Sequence, residues 1–412
     1  MEYSLSLLKE RKLLHFAQRL RFSSGDKMKE KKKSFFAGVP FGLTAAGKVF
    51  LSALAAASCL SVNMFYAIVS AIICLALSVT LEKKVLSVNA FLLVPVIFVA
   101  GLAGKGALPL AVFAGSALCV LLSLSKKPIE FPPCVKAGAA TGLAFSATVL
   151  LTTYYFGIGA SGSTTFEMLK NYRYLGFHPN WLGVFYGTIT LFAMIIYPYR
   201  FKKLSKYLPA EFVSLIFPLV LNLFLNPDKA STPILEVGEL ANMSALTGAK
   251  SFFPIADFSA FSGGEGLLIA VKGAFALAVV WLLFKPQEKK DSLTAASCGA
   301  VSALLGGFPA SRRNIVTYTS SSALCAIFAS AAVAVLCGGL ISRIPLHSLS
   351  SMLIVSVWQR VPFRLAAPAF AKKDFVSLIL FFVCALGFVF FDPFVAGIIC
   401  VVFSVATGRL KA

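Results

Sequence analysis

Long, continuously apolar runs recur along almost the whole sequence, and they restrict the possible folds of this chain more than any other feature. Three of them read FLLVPVIFVAGLAGKGALPLAVFAGSALCVLLSLS, LLIAVKGAFALAVVWLLF and VSLILFFVCALGFVFFDPFVAGIICVVFSVA. Each is long enough for one or two membrane spans of about 20 residues. Because the runs lack the alternation of lipid-facing strands, they predict membrane helices and not a barrel. Only 13% of the residues are charged, against about 25% in a soluble domain.

Positive charge is concentrated in alternate loops. The chain has 38 Lys and Arg against 17 Asp and Glu, and basic clusters include Lys83-Lys84, YRFKKLSK at 199–206 and QRVPFR at 359–364. By the positive-inside rule both termini are predicted to be cytosolic. The basic tail of residues 1–34 lacks the apolar core of a secretory signal. We therefore expect a multi-pass cell membrane protein of a bacterial inner membrane, with the lipid bilayer and not nucleic acid as its partner.

Residues for metal, cofactor or enzyme chemistry form no recognisable pattern. The nine cysteines lie mostly within apolar runs without CxxC spacing, and His15, His178 and His347 are far apart. No cofactor or metal is expected, and the chain is not expected to be an enzyme. A polytopic membrane transferase would need Asp-rich metal motifs or a membrane His, whereas thiol or serine chemistry stays open.

The two halves of the chain follow a similar plan: two spans, a short segment that starts with polar residues, then further spans. Such interrupted segments at corresponding positions indicate a transporter with inverted repeats. In the second half the segment is GGFPASRRNIVTYTSSS at 306–322. If a half-helix begins there, Ser311 can cap it and Arg312 adds a full charge beside the positive dipole end, which suits an anion. A loop at the membrane surface, where paired arginines are ordinary, is the alternative.

Several stretches resemble, in order, the transmembrane domain of the SulP (sulfate permease) family of anion transporters and exchangers, over residues 35–408. FFAGVPFGLTAAGKVFLSALAAA resembles the first span, PPCVKAGAATGLAF the fifth, LPAEFVSLIFPLVLNLFL the seventh and VGELANMSALTGAKSFF the external segment after it. SALLGGFPASRRNIVTYTSSSA resembles the Gly-Gly-Phe-Pro turn and the Ser-Arg start of the tenth span. The resemblance implies an all-α polytopic fold of about 14 segments, arranged as two inverted seven-segment repeats with core and gate domains and two half-helices meeting near the midplane.

The resemblance also implies a function and a domain organisation. Family members move sulfate, bicarbonate, chloride or dicarboxylates, usually as homodimers, by an elevator-type motion. The resemblance therefore implies a symporter or antiporter, with sulfate among the expected substrates. The implied divisions are tails at 1–34 and 409–412, a core at 35–125 and 264–344, a gate at 126–226 and 345–408, and an external loop at 227–263. Most members continue into a cytosolic STAS domain, whereas this sequence stops at ATGRLKA, so we expect the transmembrane domain alone.

The implied anion site lies between half-helix N-termini that start near Ser87 to Asn89 and near Ser311 to Arg312. Two positions depart from the family pattern. Gly47-Lys48 stands where the first span usually reads Pro-Gln, and Ala276 stands where the eighth span usually carries a glutamate, with Lys272 one turn earlier. The substrate-binding residues that we expect are Arg312, Ser311, Lys48, Ser87, Asn89 and Gly47.

An intramembrane lysine is costly, by about 2.5–3.5 kcal/mol on insertion scales, so Lys48 should face a polar cavity or an anion. Snorkelling of its side chain to a membrane interface is the alternative. The same departures also leave two other functions open. One is a degenerate homologue that binds anions without moving them, and the other is a nucleobase transporter of related fold. The second is disfavoured because the expected core spans contain none of the carboxylates that usually hold a nucleobase.

Overall fold

A computed structural model of the 412-residue chain shows the architecture. It describes residue 39 and residues 41–58, 64–81, 84–88, 91–95, 108–125, 130–158, 162, 164–227, 264–284, 288–304, 308–314, 320–371 and 374–408. The predicted tails at 1–34 and 409–412, and all but the first residue of the predicted external loop, lie outside this described part.

Helices account for nearly all of the described elements. In the first half they are, with one strand, α1 (Phe41–Ser58), α2 (Met64–Ser78), β1 (Lys84–Val88), α3 (Leu108–Leu124), α4 (Pro133–Phe156), α5 (Thr165–Leu175), α6 (Trp181–Arg200) and α7 (Ala210–Leu225). In the second half they are α8 (Gly264–Phe284), α9 (Lys289–Leu304), β2 (Ala310–Asn314), α10 (Ser320–Leu336), α11 (Leu346–Trp358), α12 (Phe363–Ala371), α13 (Phe375–Phe390) and α14 (Pro393–Ala406). Single helical turns also occur at 91–95, Leu204–Lys206 and Gly338–Ile341.

The two halves repeat one order of elements, and their contacts exchange accordingly. Each half runs through two helices, a strand, two helices, a short helix and two helices. In the first half α3 packs against α8 and α9, and in the second α10 packs against α2 and, through Gly42 and Ser322, against α1. Likewise α4 packs against α13 as α11 packs against α6, and β1 pairs with β2. The chain therefore has an all-α, inverted-repeat architecture with one small strand pair at its centre.

The same contacts separate the elements into two groups. The core group consists of α1, α2, β1, α3, α8, α9, β2 and α10, and the gate group consists of α4 to α7 and α11 to α14. Within each group the helices pack on one another, and among the contacts described the groups meet chiefly where α8 packs on α14 and where α1 packs on the chain before α7. The residue boundaries of the core and gate domains remain a prediction.

Glycines allow the backbones of the gate helices to approach closely. A Cβ atom added at Gly138 or Gly142 of α4 would lie 2.3 Å from the carbonyl oxygen of Phe381 or 2.4 Å from that of Ala385, both on α13. One turn further, the Ser146 hydroxyl donates to the Phe388 carbonyl of α13 at 2.7 Å. Small residues at four-residue spacing are the usual means of bringing membrane helices together. They explain why the fifth-span motif contains so few large side chains.

The outer surface suits a lipid environment. Among the described residues, α1, α4, α6 and α8 are long and apolar enough to cross a membrane, and shorter apolar helices lie within α2, α3, α7, α10, α11, α13 and α14. Many large hydrophobic side chains are exposed, including Phe192 on α6, Phe217 on α7 and Ile379 on α13. Exposure on this scale would be unfavourable in water. The protein is therefore a polytopic α-helical membrane protein.

The predicted half-helix starts were wrong in one respect: Ser87 and Ser311 to Arg312 lie in strands. The next described helical residues are 91–95 after β1 and Ser320 after β2. The physical reason is that β1 reads KVLSV, a β-prone sequence, and that each strand supplies hydrogen-bonding partners for the other in an interior without water. Asn89 lies outside the described residues.

The spacers after the two strands also differ. Residues 89–107 separate β1 from α3, whereas only residues 315–319 separate β2 from α10. The two repeats thus differ in the length of the segment that follows the strand.

Candidate functional site

The strand pair brings together the predicted site residues of the two repeats. In the antiparallel register Ser87 lies opposite Ser311, Leu86 opposite Arg312 and Val88 opposite Ala310. Residues that are more than 200 positions apart in sequence thus become direct neighbours. The role of these residues in binding substrate is still a prediction.

Two serines of α2 hold the chain at and near the strand pair. The Ser78 hydroxyl accepts a hydrogen bond from the Leu86 amide at 2.7 Å and itself donates to the Cys74 carbonyl. About two turns earlier in α2, the Ser70 hydroxyl accepts a hydrogen bond at 3.1 Å from the amide of Phe308, which lies just before β2. Buried backbone N–H groups need such partners. Sequence reasoning did not identify this role, although Ser70, Cys74 and Ser78 recur every four residues and so lie on one helix face.

The first strand lies in the protein interior. The Ser87 side chain is fully buried, as are the flanking apolar residues Val85 and Leu86. In such surroundings the effective dielectric constant is far below that of water, and interactions between charges are stronger. An anion that reaches this strand would therefore interact strongly with any nearby cation.

Arg360 contacts the strand pair from the gate group, and sequence reasoning missed it. Its Nη2 atom donates to Ser87 Oγ at 3.2 Å and to the Val88 carbonyl at 3.5 Å. In the sequence it belongs to the basic cluster QRVPFR, which we interpreted as a topological charge. The chain turns here because α11 ends at Trp358, four residues before Pro362, and the Arg360 amide donates to the Val357 carbonyl at 3.0 Å.

The predicted first-span residues lie at the interface with α7. A Cβ atom added at Gly47 would lie 2.9 Å from Pro209 Cγ, and the Thr44 hydroxyl donates to the Tyr207 carbonyl at 2.6 Å. Gly47 also lines a cavity of about 290 Å³ whose other walls are mainly apolar, including Phe50, Phe212 and Val333. Lys48 is half-buried on α1. Its contact with an anion remains a prediction, and the structure does not join Gly47 to the strand pair by any contact described.

Two further positions bear on the charge of the site. Ala276, at the place where the resemblance suggested a glutamate, is buried in α8. Lys272 is exposed on the same face of α8 as Leu268 and Phe275. Among the described residues, no group of three or more His, Cys, Asp or Glu is arranged to hold a metal ion. The candidate site can therefore bind a ligand through hydrogen bonds from hydroxyl groups and through positive charge.

Comparisons with known proteins identify the fold. No protein-family model and no curated protein matches the sequence. Among solved structures, SLC26A9 matches with a TM-score of 0.70 at 12% identity, over 91% of this chain and 66% of that one. Murine Slc26a9, an anion transporter captured in the inward-facing state, matches with a TM-score of 0.67 at 12% identity, over 90% of this chain and 68% of that one.

The transmembrane domain of BicA, a cyanobacterial bicarbonate transporter, matches with a TM-score of 0.65 at 15% identity, over 91% of this chain and 97% of that one. The chain thus spans about two thirds of the length of the SLC26A9 structures and nearly all of the BicA domain. At these identities the likeness establishes the fold. The chain has the all-α, inverted-repeat fold of the SLC26A9 and BicA transmembrane domains.

Proposed function

We propose that this protein is a SulP-type transporter or exchanger of small inorganic or organic anions. The anion is held at the β1–β2 strand pair, and the core group carries it past the gate group by an elevator-type motion. Transport is secondary-active or uncoupled. The proposed site consists of Ser87, Ser311 and Arg312, with Asn89 after β1 and with Gly47 and Lys48 from α1.

One observation carries this proposal: the register that sets Ser87 opposite Ser311 in a strand pair whose second strand carries Arg312. It joins a hydroxyl-bearing position of the first repeat to the arginine-bearing strand of the second, in a fold that resembles those of an anion transporter and a bicarbonate transporter. Positive charge and hydrogen-bond donors are what an anion site needs. Among the described elements, each group packs chiefly within itself, which supports relative movement of the two.

The charges of the site favour electrogenic transport. Lys48 and Arg312 add two cations, and Ala276 stands where a carboxylate would otherwise partly neutralise them. Net negative charge then moves with the substrate, and no proton is carried by a carboxylate of α8. Such a protein would lie in a bacterial inner membrane with both termini cytosolic and would assemble as a homodimer, which light scattering of the detergent-solubilised protein would test.

Uptake into proteoliposomes tests the function. The purified protein would be offered chloride, bicarbonate, sulfate, nitrate and C4-dicarboxylates under an imposed membrane potential, with protein-free liposomes as the control. We expect uptake of at least one anion class that follows the potential. Electroneutral, proton-coupled uptake would contradict the charge argument.

The rival functions give distinct outcomes in the same experiment. Anion binding without uptake, from protein shown to be folded, would identify the non-transporting homologue, which the buried Ala276 favours. Uptake of a nucleobase and of no anion would identify the related-fold transporter. A folded protein that neither binds nor takes up any anion would refute the proposed function.

A further inference from the structure

Arg360 differs in position from the other basic residues of its loop. It follows the C-terminal end of α11 in the gate group, yet its guanidinium contacts β1 in the core group through Ser87 Oγ and the Val88 carbonyl, at 3.2 and 3.5 Å. Its backbone is held by the turn that closes α11, in which Gln359, Arg360 and Val361 donate to the carbonyls of Val355, Val357 and Trp358. The guanidinium is therefore presented to β1 from a well-defined point.

The two contacts place this charge at the strand that forms the proposed anion site. Ser87 is fully buried and lies opposite Ser311 in the strand pair, and Arg360 is half-buried. The hydroxyl and the carbonyl that it contacts are both neutral acceptors. An anionic oxygen is attracted to a guanidinium by its full charge, and this attraction is strengthened where the effective dielectric constant is low. An anion at Ser87 would thus compete successfully for the donors of Arg360.

We propose that Arg360 is a gate-side ligand of the transported anion, which transfers hydrogen bonds from Ser87 to the substrate when the site is occupied. This inference rests on the proposed function and adds to it a residue from the opposite group of helices. It also specifies the class of substrate. A guanidinium presents a planar fork of donors that fits two oxygens at once, so the site favours oxyanions such as bicarbonate, nitrate or carboxylates over chloride.

The contact also couples occupancy to the interface. Arg360 joins gate to core through β1. When the Arg360 donors bind the anion in place of Ser87 and Val88, the contact between gate and core is made through the substrate. The strength of the contact between the core group and the gate group would then depend on whether an anion is bound.

Substitutions at Arg360 test the inference, with Arg364 as the matched control. Arg364 lies four residues further along the same basic cluster and is exposed, so Arg364→Gln removes the same charge from the same loop without touching β1. Binding of bicarbonate, nitrate and chloride would be measured by the anion-dependent rise in thermal stability of the purified protein, and uptake by the proteoliposome assay. Binding thus has a readout that does not depend on transport.

Arg360→Gln should weaken oxyanion affinity by about tenfold to a hundredfold, the range for hydrogen bonds to charged groups, while Arg364→Gln matches the wild type. Arg360→Lys keeps the charge and most of the length, so it serves as the second variant if Arg360→Gln does not fold. It should retain chloride affinity within about threefold but lose the preference for oxyanions, because an ammonium is a point charge.

Two outcomes would overturn the inference. One is wild-type affinity and wild-type oxyanion preference in the Arg360 variants, and the other is an equal loss in Arg364→Gln, which would indicate a general effect of loop charge. In both cases the wild-type protein still binds and moves anions. A wild-type protein that neither binds nor moves any of them would instead refute the proposed function.

Discussion

Close glycine packing of helices occurs in both groups, in the core where Gly42 meets the Ser322 carbonyl, and the groups differ in the strand pair that, among the described residues, belongs to the core group alone. In the gate group, helix backbones touch through glycines, as at Gly138 and Gly142, where even a methyl group has no room. In the core group, a buried strand pair is supported by side-chain hydroxyls of α2, notably that of Ser78. Close backbone packing resists displacement, whereas hydrogen bonds can change partners at little net cost. The comparison indicates a rigid frame beside a polar, adaptable carrier.

The interface between the groups is mixed in character. Gly397 of α14 packs so closely on Val279 of α8 that an added Cβ would lie 2.3 Å from Val279 Cγ1, and Gly47 of α1 packs on Pro209 before α7. The third contact, between Arg360 and Ser87, is polar. Among these contacts, the one between Arg360 and Ser87 is the one on which an anion can act directly.

The largest expected effect comes from breaking the packing of the gate group. Gly138→Ala would set a Cβ atom 2.3 Å from the Phe381 carbonyl oxygen, and a backbone oxygen has no rotamer by which to move away. Overpacking of this kind costs on the order of 3 kcal/mol, and the variant should lose thermal stability or fail to give monodisperse protein. Gly339→Ala is the control, since nothing lies within 4 Å of its added Cβ. Equal stability of the two variants would contradict close packing of α4 on α13.

The next effect concerns the core group and separates two neighbouring arginines. The proposed function assigns the anion to Arg312 and not to its neighbour Arg313, and single substitutions distinguish the two. Arg312→Ala should lower anion affinity about tenfold or more through loss of a charge-assisted hydrogen bond, and Arg313→Ala should change it less. Anion-dependent thermal stabilisation of both variants would measure the difference. Unchanged affinity in Arg312→Ala would remove β2 from the site.

Support of the strand pair by α2 is open to a test of stability. Ser78→Ala leaves the buried Leu86 amide without the hydroxyl that accepts from it at 2.7 Å. An unsatisfied buried donor costs about 1–3 kcal/mol, so the unfolding temperature should fall. Ser52→Ala is the matched control, because the Ser52 hydroxyl bonds only to the Val49 carbonyl of its own helix among the contacts described. A loss as large in the control would show that α2 has no special role.

The smallest expected effect is a change in anion affinity on substitution of Lys48 in α1. Lys48→Gln should lower anion affinity about threefold and reduce the transport current, as removal of a cation near the site requires. Lys272→Gln serves as the control, since Lys272 is exposed on α8. Concentration dependence of the current in proteoliposomes would measure both. Identical behaviour of the two variants would place Lys48 at a membrane interface, by snorkelling, and outside the site.

Much of the fold was predictable because it depends on local pattern. The spans expected near 107–124 and 264–284 occur as α3 and α8, since a continuous apolar run of that length satisfies its own backbone only as a helix. The neighbourhood of Ser87, Ser311 and Arg312 followed from the family resemblance. The strand character of these residues did not, because a strand needs a partner, and here the partner lies in the other half of the chain.

By itself the sequence determined that this protein is helical, lies in a membrane and has two similar halves. Apolar length, loop charge and repeated order carry that information within short stretches of chain. Only the tertiary structure decided that Ser78 supports Leu86, that Gly47 lies against Pro209, and that Arg360 reaches Ser87. A charge near a membrane surface looks the same in sequence whether it contacts lipid headgroups or a buried strand. The difference is set by which helices pack together, and packing is a property of the whole chain.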